Sequence, residues 1–140
     1  MSSDKVYIAQ STIPNAGRGV FARVDINKGE IIERCPIIEI PTDDQSSINE
    51  TMLVTYIYYM GKNKSRLILA LGFGSIYNHA SLPNAVYKEM QKQKTIDFIA
   101  IQEIKKDHEI TVNYNQGNKN DTRPLWFDVS LKRSKSIAVR

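Results

Sequence analysis

Turn-forming residues interrupt this sequence at short intervals and the runs between them are β-rich, which leaves little room for a long helix. Tyr7-Ile8-Ala9 within residues 5–10 reads as a strand, Pro14-Asn15-Ala16-Gly17 as a corner, and Val20-Phe21-Ala22 as a second strand. Lys28-Gly29 marks another turn, and residues 30–33 and 37–40 form two β-rich runs split by Pro36, which has no N–H to give a ladder. Residues 42–45 are polar and can cap a brief helix starting near Ser46, while the β-branched and aromatic residues 54–59 predict a strand. Gly61-Lys62-Asn63 predicts a hairpin turn into a strand over 66–70, and residues 91–94 a second hairpin between 85–90 and 95–101. The expected fold is mostly β, many short strands with little helix. The repeated strand-helix-strand units of a dinucleotide-binding domain are absent from the pattern.

A length of 140 residues suits one domain, and 41% apolar with 24% charged residues is ordinary globular usage. The apolar run at 67–71 is far short of a membrane span, and the N-terminus has no basic-then-apolar secretion pattern. A soluble intracellular protein is expected, in cytoplasm or nucleus. Cys35 is the only cysteine, which excludes an intrachain disulfide and a cysteine-rich structural zinc site, so no metal is expected. The net charge of +4 comes from Lys132, Arg133, Lys135 and Arg140 in the last ten residues, leaving 15 bases against 15 acids before them. A basic tail of this kind (131–140) reads as a solvated terminus, and direct nucleic-acid binding is not expected of the body.

Three segments carry chemistry. Gly17-Arg18-Gly19 follows a strand, where glycine lets backbone approach a ligand; alone it reads as a simple turn. Asn78-His79-Ala80-Ser81-Leu82-Pro83-Asn84 combines a fixed corner with side chains able to brace irregular backbone. His79 lacks the companions a metal site needs, since His108 is the only other histidine. Glu109-Ile110-Thr111-Val112-Asn113-Tyr114 is a short strand that delivers a tyrosine at its end. Late in the chain, Trp126 and Phe127 form a bulky pair that must pack back onto something.

In this order the three segments resemble the SET-domain methyltransferases, whose pattern is a Gly-x-Gly turn, an Asn-His loop ending in Pro-Asn, and a Glu-[Leu/Ile]-Thr-x-x-Tyr strand. The resemblance covers roughly residues 5–115. It departs from the family at Ala80, where serine is common, and at Asn113, where aspartate often stands; the tail also lacks the zinc-binding cysteine cluster of many members. The resemblance implies a β-clip-like fold of several small sheets with a C-terminal pseudoknot and little helix: a core over 1–117, a segment over 118–130 that completes the site, and the tail. It implies S-adenosylmethionine as methyl donor, S-adenosylhomocysteine as product and a lysine-bearing protein or peptide as partner, histones among the candidates. The short apolar runs give no reason to expect a membrane partner, and the apolar stretch 53–60, core or interface, leaves a homodimer open.

By the same resemblance, Gly17, Arg18, Gly19, Asn78, His79 and Trp126 are the cofactor residues. Tyr114 is the catalytic tyrosine, and Tyr7, Tyr87 and Phe127 line a channel for the substrate lysine. In-line displacement needs alignment and dehydration more than covalent catalysis. With an ordinary pKa of about 10.4, a lysine at about pH 7.4 costs roughly 4 kcal/mol to deprotonate, which a dry channel beside a sulfonium offsets. Two other readings stay open on sequence grounds: a SET-like module that binds peptide without transfer, and a small basic β-domain, which would bind nucleic acid with steep salt dependence.

Overall fold

The computed structural model describes residues 4–115. Trp126, Phe127, the 118–130 segment and the 131–140 tail lie outside the described residues. Among the described residues nine strands build two small sheets: β1 Val6–Gln10, β2 Arg18–Ala22, β3 Ile31–Ile40, β4 Ile57–Met60, β5 Arg66–Ala70, β6 Asn78–His79, β7 Ala85–Met90, β8 Thr95–Ala100 and β9 Glu109–Val112. One helix of five residues, α1 (Gln45–Asn49), and three 3-10 turns are the helical content among the described residues. The four-stranded sheet runs β1-β2-β9-β6 and the five-stranded sheet β4-β5-β3-β8-β7.

The hairpins follow from local chemistry. β1 and β2 pair from Val6 with Ala22 to Gln10 with Arg18, across a corner closed by Ser11 N–H donating to the Gly17 carbonyl at 2.8 Å. Gly17 sits at φ 74°, a region that glycine enters without the steric cost of a Cβ. β4 and β5 form the hairpin expected around Gly61, and β7 and β8 the one around 91–94. In the second, Lys94 takes the left-handed turn position at φ 56°.

Two expectations are corrected. Pro36 does not split a strand: β3 is continuous over ten residues. It pairs with β8 from Ile31 to Pro36 and with β5 from Ile37 to Ile40. Pro36 therefore stands at the changeover between partners, where its missing N–H interrupts neither ladder. Residues 54–56 are not strand either. Thr51 caps the turn Met52–Tyr56, its hydroxyl accepting from Leu53 N–H at 3.2 Å, and the strand starts only at Ile57. A local cap outweighs β-propensity there.

Between the sheets lies a core that includes Val20, Ile26, Ile32, Ile68, Tyr77, Ile96, Phe98 and Ile110. Tyr77 stacks on Phe98 with centroids 4.2 Å apart, an arrangement worth more than area alone. Arg66 of β5 donates to Glu89 of β7 at 2.8 Å, so the five-stranded sheet curls until strands three places apart meet. No helix among the described residues is long and apolar enough to cross a membrane.

Burial holds the Tyr58 and Tyr77 phenols well above their ordinary range and pushes Tyr87 up to about 12. Because these folded-state values are raised, their contribution to stability is complete below the unfolded value of about 10 and is lost as pH climbs through the folded ones. Alkaline unfolding is therefore expected above about pH 10, with phenolate absorbance from these rings appearing together with loss of the β-sheet circular dichroism signal. Free titration of all seven tyrosines before any loss of sheet signal would contradict this.

Candidate active site

β6 has only two residues, too few for a ladder to hold on its own. It pairs parallel to β9, Asn78 with Thr111 and His79 with Val112, and Ala80 N–H donates to the Val112 carbonyl at 3.0 Å. Asn84 then replaces a strand neighbour. Its amide donates to the Glu109 carbonyl and accepts from Thr111 N–H, both at 2.9 Å, satisfying strand backbone that would otherwise lack a partner. Pro83 sets the corner from which Asn84 reaches back.

On its other side β9 is held by β2, through Val20 with Ile110 and Phe21 with Glu109. The Glu109 carboxylate ties three segments together. It accepts from Ser11 Oγ at 2.8 Å, from Thr12 N and Oγ1 at 3.1 Å each, and from the Asn78 amide at 2.9 Å. The same Asn78 amide donates to the Arg18 carbonyl at 3.0 Å. Gly19 faces this cluster, and a Cβ built on it would fall on the Glu109 carboxylate and the Asn78 amide. The bare glycine is thus required for packing between segments.

Beyond β9 the chain meets the 77–80 segment again. Tyr114 N–H donates to His79 Nδ1 at 3.0 Å, and the Tyr114 hydroxyl donates to the Tyr77 carbonyl at 2.7 Å. With Nδ1 accepting, a neutral His79 carries its proton on Nε2. Asn113 Oδ1 accepts from Asn115 N–H at 2.8 Å, an Asx turn that orients the Tyr114 backbone where the related pattern often has aspartate.

Tyr114 separates this knot of segments from a cavity of about 450 Å³, whose walls include Val54, Tyr56, Tyr58, Tyr87, Tyr114 and, at α1, Gln45. Tyr58 packs 4.8 Å from Tyr87 and 6.4 Å from Tyr114, centroid to centroid, and its hydroxyl donates to the Gly74 carbonyl at 2.8 Å. Tyr87 and Tyr114 thus share one cavity, while Arg18, Gly19 and Asn78 meet at the Glu109 carboxylate and His79 holds the Tyr114 backbone.

Tyr7 does not join them. It is the register partner of Phe21 and stacks on it at 5.7 Å, its hydroxyl donates to Asp107 at 2.7 Å, and the Arg23 guanidinium lies 5.5 Å from its ring centre. Strand alternation places it on that face, and it is not among the residues lining this cavity. Trp126 and Phe127 lie outside the described residues. Sequence reading alone missed Tyr58, which looks like one more apolar residue in a β-rich run. It also missed the roles of Glu109 and Tyr77, whose partners lie 98 and 44 residues away.

The SET domain pattern matches residues 17–115, beginning at the glycine corner and ending just past Tyr114. The chain is 31% identical over 123 residues to an H3 lysine-37 specific histone-lysine N-methyltransferase of Schizosaccharomyces pombe, covering 87% of this chain and 78% of that one. It superposes with TM-score 0.60 and 34% identity on a candidate histone methyltransferase of Plasmodium falciparum, covering 81% of this chain and 96% of that one. A Polycomb Repressive Complex 2 structure from Chaetomium thermophilum, solved in an autoinhibited conformation with S-adenosylmethionine, aligns at TM-score 0.66 and 23% identity over 81% of this chain and 16% of that one. This last likeness concerns the fold alone.

Asn84→Ala removes two hydrogen bonds that hold β9 and is expected to cost about 2 kcal/mol, lowering Tm by roughly 5–10 °C. A thermal melt checks it; an unchanged Tm would mean that β9 is held without Asn84.

Proposed function

The chain belongs to the SET domain family, and from that premise we propose that it moves a methyl group from S-adenosylmethionine to the side-chain amine of a protein lysine, stopping at mono- or dimethylation. It is an enzyme, a protein-lysine N-methyltransferase. The observation that carries the finer reading is the placement of Tyr114: His79 holds its backbone, Tyr77 holds its hydroxyl, and its ring walls a cavity shared with Tyr87.

The residues present fit the cofactor. Among the described residues β6 is the edge of its sheet, and Ala80 N–H already faces β9, so strand alternation turns the His79 peptide toward the opposite, outer side. Gly17 opens the neighbouring corner at positive φ. When bound, S-adenosylmethionine supplies an electrophilic methyl group on a positively charged sulfur. Gly17, Arg18 and Gly19 would hold its methionine part, and Asn78 and His79 its adenine side, largely through main chain.

The chain's own residues then prepare the amine. Tyr58, Tyr87 and Tyr114 wall the cavity with rings, which attract the lysine as a cation. The same apolar walls disfavour the charged amine, so its proton leaves to water and no carboxylate base is needed. The Tyr87 phenol, pushed up to about 12 by burial, stays protonated near neutral pH and acts by hydrogen bonding. The Tyr114 hydroxyl commits its proton to the Tyr77 carbonyl, so what it offers an amine is a lone pair: it accepts an amine N–H and turns the nitrogen's own lone pair toward the methyl group. The Tyr87 hydroxyl occupies space beside the amine, which limits the number of methyl groups that fit. Histones, which the relatives' names specify, are the first substrates to try.

Incubation with labelled cofactor, histones and a proteome extract is expected to give labelled protein with the wild-type chain. Tyr114→Phe is expected to fall by about 100-fold or more. Absence of label with wild type would overturn the assignment in favour of a binding module. Mass spectra of the products should move toward higher methylation in Tyr87→Phe, and an unchanged methylation state would count against the mono- or dimethyl limit.

A further inference from the structure

Glu33 lies in β3, in the sheet that does not contain β9, and it is 2% exposed. Among the described residues it takes part in no ion pair. Its oxygens are met by neutral donors, the Tyr77 hydroxyl at 2.8 Å and Phe73 N–H at 3.0 Å. Such a carboxylate is costly to bury without a cation, so what it organises is informative. The 71–77 segment turns around it. Gly72 adopts φ +60°, and a Cβ there would stand 2.6 Å from Glu33 Oε2, so the turn closes directly on the carboxylate.

That segment delivers Tyr77, whose side chain and carbonyl point to different partners. Its hydroxyl donates to Glu33, its ring stacks on Phe98, and its carbonyl accepts the Tyr114 hydroxyl. Tyr58 holds the same segment from the cavity side, through the Gly74 carbonyl. We propose that Glu33 is a positioning residue for the reaction: by fixing Phe73 and Tyr77 it sets where the Tyr77 carbonyl stands, and so which way the Tyr114 hydroxyl points. The proposal rests on Tyr114 being the residue that orients the amine. Glu33 itself touches neither substrate nor reacting atoms. Its effect passes through one carbonyl, which makes the coupling measurable.

The test is a double-mutant cycle with kcat, KM for the peptide and Tm read for each variant. Glu33→Gln keeps the shape but can accept through one oxygen only. It is expected to lower kcat about tenfold with KM for the peptide within about twofold of wild type. In the Tyr114→Phe background, where no hydroxyl remains to be aimed, the same substitution should change kcat by less than about twofold. Tyr77→Phe removes a single hydroxyl and keeps the stacked ring, so it supplies the same cycle should Glu33→Gln fail to fold. A fall that multiplies in full with Tyr114→Phe, or an unchanged kcat in both Glu33→Gln and Tyr77→Phe, would overturn the proposal. Tyrosine-selective NMR reads the coupling without turnover: the Tyr114 ring resonances should shift in both variants, and resonances that stay in place would equally sink it. A wild-type chain that transfers no methyl would thus refute the enzymatic reading while the Glu33 coupling is decided separately by the spectra.

Discussion

Glu109–Val112 is a four-residue strand held on one side by β2 and on the other by a two-residue strand and the Asn84 side chain. Its partners are distant in sequence: Ser11 is 98 residues from Glu109, Asn78 is 31 away, and Asn84 is 27 from Thr111. Closing such spans costs chain entropy, although the cost rises only slowly with length. The structure offsets it by concentrating hydrogen bonds on one carboxylate and two amide side chains, those of Glu109, Asn78 and Asn84. With the strand clamped from both sides, the residues just after it are fixed on the 77–80 segment, Tyr114 bonding to His79 and to the Tyr77 carbonyl.

What this arrangement achieves is a partition. Behind Tyr114 stand backbone, amides and an imidazole; in front stands a cavity walled by phenols. In the proposed transfer the lysine amine enters on the aromatic side and the cofactor on the polar side, so the two reactants meet at one ring. The five-stranded sheet contributes from a distance, since Glu33 and Tyr58 shape the turn that presents the Tyr77 carbonyl.

Much of this is legible in the sequence wherever the signal is local. The hairpins at Gly61 and at 91–94, the glycine corner and the three motif segments each declare themselves within a few residues. Pro36 is misleading because a missing N–H matters only where a ladder needs it, and the exchange of partners along β3 cannot be seen in one dimension. Residues 54–56 have the composition of a strand, but the Thr51 cap decides their conformation. Tyr7 gives no local sign of its contacts either, because Phe21 reaches it through strand register and Asp107 from 100 residues away. Glu109 carries no local signal for its role as a hub, because the hydroxyls that bind it arrive from β1's far end.

The central claim is that three remote segments form one ligand site around β9. Hydrogen exchange on the full chain, with and without S-adenosylhomocysteine, tests it most directly. The account predicts that ligand slows exchange together at residues 17–19, 78–80 and 113–115. Protection confined to one of these segments, or absent from all three at saturating ligand, would contradict it.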